Sequence, residues 1–138
     1  MRLVALVASW WLIGCGAGAI QAQARAATVA VIALEGAHRL TMDEAERRLD
    51  ECRTDACTGA VEADLAPVAA AHDAARAALA GWVEALQLAL VAGEDGDVVA
   101  ALVVAAGRWT ALWGELSSAL AGLGVVLPAL PASIAGTP

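Results

Sequence analysis

Three cysteines and two histidines are the residues of this chain best suited to chemistry: Cys15, Cys52, Cys57, His38 and His72. Cys52 and Cys57 with His38 or His72 are the one set that could ligate a metal, but two histidines alone supply no second paired motif, and no metal is expected. Redox-active thiols more typically read C-x-x-C, so thiol catalysis is not expected either. His72-Asp73 resembles part of a catalytic set, yet no serine stands in a G-x-S-x-G setting, and Ser117-Ser118 fall in an expected helix. Glu94, Asp95 and Asp97 carry carboxylates suited to calcium, but the D-x-[DN]-x-[DN]-G pattern is not met and helix capping accounts for them. Trp82, Trp109 and Trp113 could stack on a ligand; Trp82 and Trp109 fall on apolar seams, which points to core packing. The expectation is therefore no catalytic residue, no cofactor and no enzyme.

Cys15 is different, because of what precedes it. Met1-Arg2 forms a minimal positive start, and Leu3 to Ile13 is uncharged and apolar, about the 7–15 residues of a signal-peptide core. That run is shorter than the roughly 20 residues of a membrane span. Leu12-Ile13-Gly14-Cys15 resembles the lipobox of bacterial lipoproteins. The resemblance implies diacylglycerol on the Cys15 thiol, cleavage after Gly14 and acylation of the new amino group, so that several acyl chains anchor the protein. Each buried methylene is worth about 0.8 kcal/mol, and two or more chains hold firmly. Gly16, in place of the Asp that favours inner-membrane retention in the enterobacterial pattern, leans towards the outer membrane. Two alternatives stay open: Ala22-Gln23-Ala24 has the A-x-A form of an ordinary signal-peptidase site, giving a soluble product from Arg25, or the segment stays uncut as an anchor. An oxidising envelope compartment would let Cys52 and Cys57, the pair left once Cys15 is used, form a disulfide.

The balance of charge is acidic, with a formal net charge of −7. Nucleic acid is excluded as a partner by this reading, since its affinity comes from Lys and Arg on phosphates. A polybasic contact with anionic lipid is excluded for the same reason. Phe, Tyr, Lys and Asn are absent, and the five Trp are the only aromatics besides His.

These residues need helices to position them. Thr41-Met42-Asp43-Glu44 reads as a capping box opening a helix to about Cys52, with Asp43–Arg47 and Glu44–Arg48 pairs outside and Met42, Ala45 and Leu49 inside. A second helix is expected to start between Thr58 and Ala66, with Pro67 near its start, and to run to Ala92. Leu65, Val68, His72, Ala75, Leu79, Trp82 and Leu86 recur at alternating steps of three and four along it. Gly93 suits a helix C′ position, and Asp95 or Asp97 the next N-cap. A third helix follows from Val98 to about Leu120, with a seam of Leu102, Ala105, Trp109, Leu112, Leu116, Ala119 and Leu123.

The expected fold is all-α, a small bundle built on a long antiparallel helical hairpin. Its divisions are a signal peptide over residues 1–14, a lipidated tether and apolar segment over 15–34, a helical domain over 35–124 and a flexible tail over 125–138. The expected role is structural or protein-interacting: a lipid-anchored envelope protein facing the periplasm, with an unidentified envelope protein as partner. A lipobox at one end and an apolar stretch near the other is an arrangement similar to that of single-chain spanins of phage lysis systems, which would make the chain membrane-active. A secreted ligand-binding bundle is the remaining alternative.

Overall fold

Three helices follow one another in the computed structural model, which describes residues 17–93 and 95–130: α1 (Ala17–Glu51), α2 (Asp55–Ala92) and α3 (Gly96–Gly122). No strand occurs among the described residues, so the chain is an all-α bundle. Residues 1–16, which include Cys15 and the segment expected to be a signal peptide, Glu94 and residues 131–138 lie outside the described residues. At 38 residues, α2 is about 57 Å long. It lies between the other two and packs more extensively on α3 than on α1.

The α2–α3 hairpin forms where the sequence places it. Gly93 closes α2 with φ +77°, a left-handed value that favours glycine, and its N–H donates to the Ala89 carbonyl. Two residues on, the Asp95 carboxylate accepts from the Asp97 N–H at 3.1 Å and caps α3. Gly124 (φ +82°) ends α3 in a Schellman motif: the Val125 N–H donates to the Leu120 carbonyl and the Gly124 N–H to that of Ala121. Val125, Leu127 and Leu130 then pack against the core, so the first residues beyond α3 are part of the bundle and not a loose tail.

The core is centred on tryptophan. The Trp82 and Trp109 rings lie 5.9 Å apart between centroids, and Trp109 and Trp113 stack at 5.5 Å. Leu116 and Leu120 are fully buried beside them. The buried strip of α3 follows Leu102, Trp109, Trp113, Leu116 and Leu120, leaving Ala105, Leu112 and Ala119 half-buried on its flank. A straight helix drifts about 20° per heptad against a strict 3.5-residue repeat, and the strip moves accordingly.

The largest departure from the sequence reading is α1. It begins at Ala17, so residues 17–34 belong to the same helix as 35–51 and are no separate tether. Its inward face runs Ile20, Gln23, Ala27, Ala30, Leu34, Ala37, Thr41, Glu44, Arg48, again at alternating steps of three and four. The first six are buried and the last three half-buried. Thr41 is therefore mid-helix: its hydroxyl donates to the Ala37 carbonyl at 2.8 Å instead of capping. Met42 and Leu49, expected inside, are exposed, while Glu44 and Arg48 turn inward. The Asp43–Arg47 pair does not form; Arg47 binds Glu44 and Glu51.

The α1–α2 link is tighter than the sequence implies. Thr54 caps α2 by accepting from the Cys57 N–H at 3.2 Å, so the helix starts at Asp55, ahead of the expected start between Thr58 and Ala66. α2 runs through Pro67, which leaves the Ala63 carbonyl without its helical donor. Both residues are exposed, so water can satisfy that carbonyl.

Candidate functional site

The register of α1 against α2 is fixed at three levels. Near one end, the Trp82 indole N–H donates to the Gln23 side-chain oxygen at 3.0 Å, both residues being buried. At the other, Arg48 donates to the Glu44 carboxylate at 2.6 Å and to the Leu123 carbonyl at 2.9 Å, and lies 3.4 Å from Asp64. One guanidinium thus joins all three helices, and its positive charge sits at the negative C-terminal end of α3. Between these levels stand His38 and His72, the two histidines of the chain, with ring centroids 5.1 Å apart.

The imidazoles sit in an open cleft of about 450 Å³ along the α1–α2 groove. From α1 come Val31, Leu34, Glu35, His38 and Arg39; from α2 come His72, Arg76 and Leu79. The α1 set steps by 3, 1, 3 and 1 and the α2 set by 4 and 3, which places each on one helical face. Leu34 and Leu79 are buried and make an apolar floor, while Arg39 and Arg76 stand exposed at the rim. Neither arginine makes an ion pair or hydrogen bond among the described residues, unlike Arg47 and Arg48.

Electrostatically the cleft is short of negative charge. Burial pushes the His72 pKa below the ordinary imidazole value, and the proximity of His38 and Arg76 adds to the effect. Asp73, 4.0 Å from His72 Nδ1, and the Leu34 carbonyl oppose it. Glu35 is the one carboxylate in the lining. The Arg39 and Arg76 guanidinium groups, without a partner among the described residues, have unmet affinity for an anion.

The other residues singled out in the sequence lie elsewhere. Cys52 and Cys57 are joined by a disulfide with Cα atoms 5.5 Å apart, at the α1–α2 link and away from the cleft. Among the described residues no group of three or more His, Cys, Asp or Glu is arranged to hold a metal ion. Asp95 serves as a helix cap, and Trp82, Trp109 and Trp113 are in the core. Trp109 Nε1 is buried and finds no acceptor among the described residues. Sequence reasoning missed Arg39, Arg76 and the meeting of the histidines. The Glu35, His38, Arg39 grouping on one helical face was the available signal, but its partner on α2 depends on register.

Comparison of the chain with protein-family models, with curated proteins and with solved structures finds no match to any of them.

Proposed function

We propose that this protein is a lipid-anchored helical bundle of a bacterial envelope membrane, with a structural or protein-interacting role and no reaction of its own. The observation that carries the reading is Leu12-Ile13-Gly14-Cys15 at the end of a short apolar run. The Cys52–Cys57 bond suits an oxidising compartment, which agrees with export. From residue 17 to 34 the one charged side chain is Arg25, and the stretch from Glu35 to Asp64 is dense in Arg, Asp and Glu. This reading presents the stretch from Glu35 to Asp64 to a partner.

Intact mass of the protein isolated from membranes tests the proposal. Residues 15–138 plus acyl chains, rising by about two hydrogens on reduction, is the expected result. An unmodified product starting at Arg25 would make it a free periplasmic or secreted bundle and end the anchored reading.

A second reading has one observation in its favour. α2 and α3 are both long and apolar enough to cross a membrane, by length and composition. Leu88, Leu90, Val91 and Val104 are exposed near the turn that joins them. A membrane-active protein would use these surfaces directly. Carbonate extraction of a version lacking residues 1–24 separates the two: release into the soluble fraction supports the lipid anchor, and retention supports direct engagement of the bilayer by the helices.

A further inference from the structure

The cleft between α1 and α2 has a composition that packing alone does not explain. Arginine has a large side-chain entropy, and Arg47 and Arg48 are held by carboxylates, whereas Arg39 and Arg76 are brought to one groove without such a partner among the described residues. These two come from the two helices that wall the groove. The same lining holds both histidines of an otherwise acidic chain, the buried Leu34 and Leu79, and Val31 at the surface. A volume of about 450 Å³ lies within the 300–1,000 Å³ typical of small-molecule sites.

We propose that this cleft binds an amphiphilic organic anion, with its carboxylate or phosphate held by Arg39 and Arg76 and its apolar part laid on Val31, Leu34 and Leu79. The guanidinium fork matches either oxyanion with two parallel hydrogen bonds. His38 and His72 lie beside the oxyanion and donate to it when protonated. Glu35 repels a ligand of the wrong charge distribution and orients the headgroup towards the arginines. Glu35, His38 and Arg39 face the cleft from α1, and His72, Asp73 and Arg76 from or beside it on α2, so an added negative charge opposes the lowering of the His72 pKa. Binding rests on the bundle itself and does not depend on how the chain is anchored.

Because the chain has two histidines and both lie in the cleft, the imidazole signals of its proton–carbon NMR spectrum report this site directly. The full chain, in a neutral nonionic detergent, is titrated with hexanoate, hexyl phosphate, inorganic phosphate and hexylammonium. The expected result is a saturable shift of both imidazole signals by the two anionic amphiphiles, with the His72 titration midpoint moved to higher pH. The stronger of hexanoate and hexyl phosphate identifies the headgroup. Inorganic phosphate, lacking the apolar part, binds more weakly, and hexylammonium leaves the signals in place. Arg39→Gln with Arg76→Gln weakens anion binding about tenfold or more, as expected for lost charge-assisted hydrogen bonds. Arg108→Gln, on α3 outside the cleft, leaves it unchanged. Equal response to hexylammonium, or no saturable shift with either anionic amphiphile, overturns the proposal without recourse to any variant. Unchanged binding by the double variant overturns it as well.

Discussion

Gln23→Leu is the substitution that most directly tests whether the first helix belongs to the bundle. Gln23 is 7% exposed and Trp82 2%, so neither the amide oxygen nor the indole N–H of their 3.0 Å hydrogen bond has water to turn to. Leucine nearly matches glutamine in volume, so little cavity forms, and the main effect is a buried indole N–H with no acceptor. Such a group costs about 1–3 kcal/mol. Added apolar burial by leucine offsets part of this, leaving a net loss of about 1–2 kcal/mol. For a chain of this size that corresponds to a fall in Tm of roughly 4–8 °C. The assay is urea unfolding followed by tryptophan fluorescence and circular dichroism, with Trp82→Phe and the double variant completing a cycle. The double variant is expected to be more stable than the sum of the two single losses implies, because it leaves no orphaned donor. Strict additivity, or a Gln23→Leu effect within about 0.5 kcal/mol, the scatter typical of surface substitutions, would refute the burial of this pair and with it the docking of residues 17–34.

Three further outcomes follow from the same structure. Trp109→Ala, at the centre of the ring stack, is expected to cost about 3–5 kcal/mol and to abolish cooperative unfolding; a loss below about 1 kcal/mol would contradict the core assignment, and differential scanning calorimetry reads it. The His72 pKa is lowered on folding, so below its ordinary value the unfolded chain takes up a proton that the folded chain resists. The associated stability is complete above about pH 6.5, the ordinary histidine value, and is lost as pH falls through the depressed folded value. Urea midpoints at pH 8 and pH 5 should therefore differ more for the unaltered chain than for His72→Gln. Cys57→Ser opens a small loop and is expected to cost about 2 kcal/mol, the low end for a disulfide, with helical content retained by circular dichroism; global unfolding on reduction would show that the α1–α2 link depends on the bond instead of on the Thr54 cap.

The hairpin of α2 and α3 was legible because its signals are local and large. Gly93 and Asp95 do the jobs their types imply, and the tryptophans and leucines mark the inward faces unaided. α1 was not legible for the opposite reason. Its seam is Ala27, Ala30 and Ala37 with Gln23, Thr41, Glu44 and Arg48, residues that a hydropathy pattern does not separate from an exposed face. The capping box at Thr41 is a real local preference, but worth only about 1 kcal/mol, less than an uninterrupted buried seam. The disulfide was expected from the number of cysteines and the expected compartment, whereas Thr54 as the cap inside its loop was hidden by the short Arg53-Thr54-Asp55-Ala56 segment. The cleft needed more than any single helix holds. His38 and His72 are far apart in the chain, and only the pairing of Gln23 with Trp82 and of Arg48 with Asp64 brings them level.

The two interfaces of α2 are built from different materials. Towards α3 it offers Trp82 to Trp109, on which Trp113 stacks; of the buried apolar residues that α1 contributes, four are alanines, Ala26, Ala27, Ala30 and Ala37, beside Ile20 and Leu34. Small residues allow close approach but remove little apolar area from water, at about 25 cal/mol per Å². Opening of the bundle is therefore graded. The hairpin forms the slow-exchanging unit, and α1 detaches from it as a separate, cheaper step that hydrogen exchange would register as weaker protection of its amides. Because the cleft lies along that weaker seam, any molecule seated there bridges the detachable helix to the permanent one and acts as a clasp on the whole fold.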